Sequence, residues 1–258
     1  MNRNRRPRVT PAEMNQYRLS VTHSLLLINI VVFVVGLMVQ RNAFLGIAIP
    51  EGDPVSIFEL LGAHSWYLTF TEGQVWRLIT YQFVHANLGH VVFNMWALYF
   101  FGPVVEEIMG SRRYLLYYLA CGVAGAMFSS LLAYHGVYSS IPDTPQFAEL
   151  CNRLVAYAGF SDPVTPWQLV PMVGASASIY GVMVAAAFMF PDARLRLLFP
   201  PITLQLRTFA WVVIGIATAV IVFNFHNAGG EAGHLGGIIL GAIVMLAWKW
   251  RVTHSNRQ

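Results

Sequence analysis

Charge is scarce in this chain: Asp, Glu, Lys and Arg make up 11% of 258 residues. A soluble domain carries about a quarter. With 56% hydrophobic residues, the shortfall excludes an ordinary soluble domain and points to a polytopic membrane protein. The net charge of +4 comes almost wholly from arginine. There are two cysteines, Cys121 inside an apolar run and Cys151 in a loop. They are expected at different depths, so no disulfide is expected and no redox compartment follows. Arg3, Arg5, Arg6, Arg8 and Arg18 stand against Glu13 alone in the first twenty residues. No short apolar core with a small-residue cleavage site follows them, which excludes a cleaved secretory signal. The stretch is read as a basic cytoplasmic tail in preference to an Arg-rich mitochondrial presequence. Internal repeats and low-complexity segments are missing too, so one membrane domain with short tails is expected.

What the chain has is apolar runs. A hydrocarbon core of about 30 Å takes about 20 residues of helix, and six runs qualify: Val21–Val39, Leu78–Val105, Tyr114–Tyr134, Leu169–Phe190, Thr208–Phe225 and Gly233–Trp248. Basic residues set the orientation. With the N-terminus cytoplasmic, thirteen of the sixteen Lys and Arg residues fall on the cytoplasmic side, leaving Arg41, Arg77 and Arg153 outside. The expected layout is a basic cytoplasmic tail over 1–20, a six-span domain over 21–250 and a cytoplasmic tail over 251–258. Its long outer loops cover 41–77 and 135–168. The first carries Trp66, Tyr67 and Trp76, residue types that favour the membrane–water interface. The second predicts a short helix after Pro145, apolar along Phe147, Leu150, Cys151, Leu154 and Tyr157 and stopped at Gly159, either lying on the membrane surface or capping the bundle. Capping is preferred because its polar face lacks the Lys and Arg of a surface anchor.

Three of these spans carry polar groups that are costly at membrane depth unless they have partners or work. Ser176 sits in Val173-Gly174-Ala175-Ser176-Ala177-Ser178-Ile179-Tyr180-Gly181, read as about six residues, or about 9 Å, into the fourth span. Gly174 admits a close backbone, and Tyr180 lies one turn on from Ser176 on the same face, placed to hold an imidazole. Ser178 is a rival nucleophile. Taken alone, the small residues here serve equally as a helix-packing surface. His234 opens the sixth run, and Gly237 and Gly241 follow at i+3 and i+7, a smooth groove that lets a small-residue helix approach. His226 is a rival base without such a face. In the second run His90 and Asn94 are i, i+4 and share a face. Both can donate to a developing oxyanion, worth about 3–4 kcal/mol per donor, and the Ser176 backbone N–H can add another. His85 falls on another face and is read as supporting structure.

A serine activated by a histidine base is the arrangement of nucleophilic hydrolysis. No Asp or Glu lies in the outer halves of spans two, four or six, so a Ser–His dyad without an orienting carboxylate is expected. Glu106 and Glu107, at the cytoplasmic end of span two, are expected to pair with Arg112 or Arg113. No metal is expected, because the histidines lack carboxylate or thiolate company and the zinc-protease pattern His-Glu-x-x-His is missing. No other cofactor and no nucleic-acid partner is called for.

Together these residues resemble the rhomboid intramembrane serine proteases. Trp76-Arg77 looks like that family's Trp-Arg pair, and His85, His90 and Asn94 match its His-x4-His-x3-Asn pattern. Gly174-x-Ser176 with Tyr180 is similar to its nucleophile motif, and His234, Gly237 and Gly241 match its His-x2-Gly-x3-Gly. The resemblance covers about residues 21–250. It implies an all-α, six-span bundle with both termini cytoplasmic, in which Ser176 is the nucleophile, His234 the general base, and His90 and Asn94 the oxyanion donors. Gly174, Tyr180 and His85 would support the site. It also implies single-span membrane proteins as substrates, cut near the outer boundary where their helices unwind. A bacterial inner membrane is the expected location, because no other targeting address is read in the sequence. One departure is Ala177, where the family usually has glycine; its methyl would crowd the oxyanion pocket. Relatives that lack the serine or the histidine bind without cutting, so a non-catalytic membrane-protein binder is the second reading. A six-span transporter is the third, and predicts polar groups spread through the bundle's depth.

Overall fold

The computed structural model describes residues 20–39, 57–138, 171–197, 201–225 and 227–255. Their apolar, mostly uncharged segments satisfy their backbone groups internally as helices. These are α1 (Val21–Val39), α2 (Ile57–Gly62), α3 (Arg77–Thr80), α4 (Leu88–Met109), α5 (Ser111–Tyr134), α6 (Ser176–Met189), α7 (Leu206–Val222) and α8 (Ala228–Ser255). Two short strands, β1 (Arg194–Arg196) and β2 (Thr203–Gln205), pair antiparallel with Leu195 opposite Leu204. Helices α1, α4, α5 and the Ala228–Arg251 part of α8 are long and apolar enough to cross a membrane; α6 and α7 are apolar but shorter. Cys151 and the helix expected after Pro145 lie outside the described residues, as do residues 41–56 of the first expected loop, 1–19 of the basic tail and 256–258 at the other end.

Helix α6 is the hub. Ten of its fourteen residues are buried, which marks a helix surrounded by others. Helix α1 buries only Thr22, Leu25, Asn29 and Gly36, a single stripe, and so lies at the edge. Between α6 and α8 the small residues set the separation. A Cβ on Gly237 would fall on the Ala177 carbonyl, and one on Gly241 would stand 3.1 Å from Gly181 Cα. On the other side of α8, a Cβ on Gly236 would meet the Ala124 carbonyl at 2.6 Å, so α5 is equally close. Chains this near each other gain dispersion contacts that larger side chains would forbid.

Helix α4 starts later than the apolar run predicts. Residues 77–83 form α3 and a 3-10 turn, Tyr81–Phe83, and the long helix begins only after Asn87. Asn87 is extended, and its side chain accepts the His90 N–H at 2.8 Å, an N-cap worth about 1 kcal/mol. At the other end Gly110, at φ +78°, turns the chain directly into α5.

The pairing expected for Glu106 is not what the structure has. Its carboxylate accepts the N–H groups of Val21 and Thr22 at 2.7 and 2.8 Å, and the hydroxyls of Thr22 and Ser111 at 2.7 Å each. The first N–H groups of a helix lack intrahelical acceptors, and the helix dipole favours an anion there. Glu106 therefore pins the start of α1 to the α4–α5 corner, work that Arg112 and Arg113 cannot do. Glu106→Ala leaves these buried donors unpaired and is expected to cost on the order of 3 kcal/mol. The check is thermal unfolding in detergent together with faster amide exchange at the start of α1.

The segment before α3 is tied down by polar groups. Arg77, 1% exposed, donates to the Ala63 carbonyl and to Gln74 Oε1, both at 2.7 Å. Burial, with the Arg77 guanidinium nearby, pushes the His64 imidazole down to about 3. The ring is therefore neutral at physiological pH, and it links Thr69 Oγ1 at 2.8 Å to Ser130 Oγ of α5 at 2.9 Å. Residue His64 also exchanges backbone bonds with Met172, at 3.0 and 2.7 Å. That bridge holds the segment leading into α6.

Candidate active site

Ser176 is the first residue of α6, so the fourth span does not begin at Leu169 and the serine does not lie six residues inside a helix. Hydropathy could not see the reason. Gly174 has φ +113°, a conformation that breaks the helix before the serine and that an L side chain rarely adopts. Its N–H donates to the Tyr81 carbonyl at 2.9 Å. A Cβ there would lie 2.5 Å from His90 Nε2, so the glycine is also what lets the His90 ring in. As a helix start, Ser176 also offers first-turn N–H groups that have no intrahelical acceptor.

The serine Oγ lies 2.8 Å from His234 Nε2. Tyr180 stacks on the His234 ring with centroids 4.1 Å apart and planes 8° from parallel. The imidazole thus has one face covered and one edge aimed at the hydroxyl. Sequence reasoning began the sixth span at Gly233; α8 in fact starts five residues earlier, at Ala228, and carries Glu231 in its first turn. Glu231 Oε2 is 2.9 Å from His234 Nδ1. The expected lack of a carboxylate beside the imidazole is therefore corrected. The signal was present as an acid three residues before the histidine, one helical turn away, but it falls two residues short of the apolar run that opens at Gly233.

The start of α8 is itself anchored. Ser129 Oγ, on α5, donates to the Gly229 carbonyl at 2.9 Å and lies 2.8 Å from the Tyr138 hydroxyl. Gln82 is the comparable anchor for α6: its Oε1 accepts from Ser178 Oγ at 2.9 Å. Ser178 is fully buried in that bond and does not face the cavity, which removes it as a rival nucleophile. His226, the rival base, lies outside the described residues.

His90 and Asn94 stand across a cavity of about 410 Å³ that Ser176, Tyr180 and His234 also line. Asn94 Nδ2 is buried without a hydrogen-bond partner, an orphan donor of the kind that calls for an explanation. His85 is buried with its ring 5.0 Å from that of His90, edge to face. It does not line the cavity, so it backs His90 rather than reaching into the site. Ala177, expected to crowd the oxyanion pocket, does not line it. Its methyl packs toward α5, where a Cβ on Gly125 would come within 2.5 Å of it. Among the described residues no group of His, Cys, Asp and Glu has the makings of a metal site.

Comparison with known proteins gives the family. The Rhomboid domain matches residues 72–250. The mitochondrial RHOMBOID-like protein 12 of Arabidopsis thaliana is 32% identical over 181 residues, 69% of this chain and 47% of that protein. This chain therefore spans about half of that relative's length. Rhomboid protease AarA of Providencia stuartii is 24% identical over 232 residues, 89% of this chain and 73% of its own. A relative named Inactive RHOMBOID-like protein 8, also from Arabidopsis, is 30% identical over 80 residues, 31% of this chain and 23% of its own. With the family match running from the segment before α3 into the last turns of α8, this integral membrane protein belongs to the rhomboid family.

Proposed function

We propose that the protein is an intramembrane serine endopeptidase that cuts single-span membrane proteins near the outer membrane boundary. The observation that carries the reading is the 2.8 Å approach of His234 Nε2 to Ser176 Oγ under the stacked Tyr180 ring. In this reading His234 takes the serine proton as Oγ attacks the scissile carbonyl carbon. The oxyanion then accepts from His90, from the orphan Nδ2 of Asn94 and from the backbone N–H of Ser176. The imidazolium returns its proton to the departing amine nitrogen as the C–N bond breaks, and the acyl group stays on Ser176. Water attacks the ester, gives its proton to His234 and releases the acid, restoring the serine. A helical peptide bond cannot enter such a site until it unwinds, which is why small, helix-breaking residues are the expected cleavage point.

The same reading has six spans over residues 21–250, with α6 and α7 as the short ones and both termini cytoplasmic. A helix of fourteen residues is about 21 Å long, less than the hydrocarbon thickness. An α6 that ends near the cytoplasmic face would therefore start below the outer rim. That depth supports a water-filled cavity opening outward, since Ser176 needs water and the polar groups around it need solvent or substrate. A bacterial inner membrane suits the positive-inside pattern.

The inactive relative supports a second reading, a membrane-protein binder that does not cut. A fluorophosphonate probe separates the two, because it phosphonylates, with fluoride leaving, only a serine whose proton a neighbouring base removes. The expected result is labelling of the wild-type protein in liposomes at Ser176, mapped by mass spectrometry, and loss of labelling in His234→Ala. A protein left unlabelled over the time that a control serine hydrolase is fully labelled would make it a binder.

A further inference from the structure

We propose that Glu231 is a positioning residue for the reaction, making the site a Ser176–His234–Glu231 relay of hydrogen bonds. The inference rests on the reading of His234 as the base. A carboxylate in its ionised form has only acceptor sites. The bond between Glu231 Oε2 and His234 Nδ1, at 2.9 Å, therefore requires the hydrogen on Nδ1. A neutral imidazole has one N–H, so Nε2 is left with its lone pair, and Nε2 is the nitrogen 2.8 Å from Ser176 Oγ. Without Glu231 the two tautomers are free to exchange, and the one with hydrogen on Nε2 cannot accept the serine proton.

The geometry fixes the ring in two independent ways. Stacking on Tyr180 holds its plane but permits rotation within that plane. A bond at Nδ1 removes the rotation, because the carboxylate comes from the same helix one turn earlier and cannot swing with the ring. Both side chains are mostly sheltered, His234 at 13% exposure and Glu231 at 19%, so water competes poorly for Nδ1. The carboxylate also faces the imidazolium that forms when the serine proton moves, and stabilises that charge where it develops. Acids are favoured in the first turn of any helix, so a purely structural Glu231 is the competing explanation. It predicts a loss of stability instead of a loss of turnover.

The test is steady-state cleavage of a reporter span by the full chain in proteoliposomes, with Glu231→Ala, Glu231→Gln and Ser176→Ala side by side. Glu231→Ala is expected to lower kcat by about 10- to 100-fold with KM unchanged. That is less than the roughly 10⁴-fold seen when a buried carboxylate alone orients the base, because Tyr180 still holds the ring plane. Glu231→Gln, whose amide oxygen can still accept from Nδ1, is expected to recover part of the loss, and formate should restore part of it in the Ala variant. Turnover by Glu231→Ala equal to wild type overturns the proposal. So does an equal loss in both variants that tracks a lowered melting temperature and ignores formate. Ser176→Ala separates the two layers: if it still cleaves, the protease reading itself has failed, whereas an inactive Ser176→Ala beside an unimpaired Glu231→Ala removes only the role of the glutamate.

Discussion

Ser176→Ala is expected to abolish cleavage of a transmembrane reporter in liposomes, with a fall in kcat of at least about 10⁴-fold. That corresponds to about 5.5 kcal/mol or more of lost transition-state stabilisation. The size follows from where the residue sits. Among the described residues Ser176 Oγ is the one hydroxyl shown against the Nε2 edge of His234, and the other serine of the motif cannot substitute. Ser178 is fully buried and bonded to Gln82, on a different face of α6 from the cavity. The fold should survive the change, because Ser176 opens the helix and alanine removes a single hydrogen bond, worth about 1 kcal/mol. Ser178→Ala is the informative partner. It leaves the nucleophile in place, so fluorophosphonate labelling of Ser176 should persist while the melting temperature drops from loss of the α6 anchor to Gln82. Cleavage by Ser176→Ala at the wild-type rate would leave the serine without a role.

The chemistry of the site was more legible in the sequence than its depth. Ser176, His234, His90 and Asn94 were singled out because polar groups inside apolar runs need a reason, and the fold brings all four to one cavity. Helix α1 matched its apolar run to the residue, since Val21–Val39 is uninterrupted and carries no competing backbone geometry. The starts of α4, α6 and α8 were misplaced for three separate physical reasons. Asn87 stops α4 by capping it, and Gly174 stops α6 through a positive φ. Both features are invisible to a hydropathy average. Helix α8 extends past its apolar run because Ser129 and Tyr138 anchor its polar first turn. That last error hid Glu231. Glu106 was misread for a related reason: neighbouring arginines suggested an ion pair, whereas the acceptor was needed by the helix start of α1, distant in sequence.

The packing of α8 on α6 carries the second large effect. Gly237→Ala adds a single methyl, but it falls on the Ala177 carbonyl oxygen, closer than any real contact. The obstacle is backbone, so no rotamer change relieves it and one helix must move. Overpacking of this kind costs about 1–3 kcal/mol. The functional loss should exceed what that figure suggests, because Ala177 directly follows Ser176 and Gly237 lies one turn beyond His234. Any shift that clears the methyl therefore acts on the hydrogen bond between serine and imidazole. A misplacement of about 1 Å costs roughly 10²-fold in rate, so kcat is expected to fall by about that factor while the protein still folds. Gly215→Ala supplies the contrast: it lies in α7, where a Cβ meets nothing within 4 Å, and it should cleave as wild type does. If Gly237→Ala also cleaves at the wild-type rate, close approach of these two helices does not hold the site together, and the register of small residues between them is a matter of stability alone.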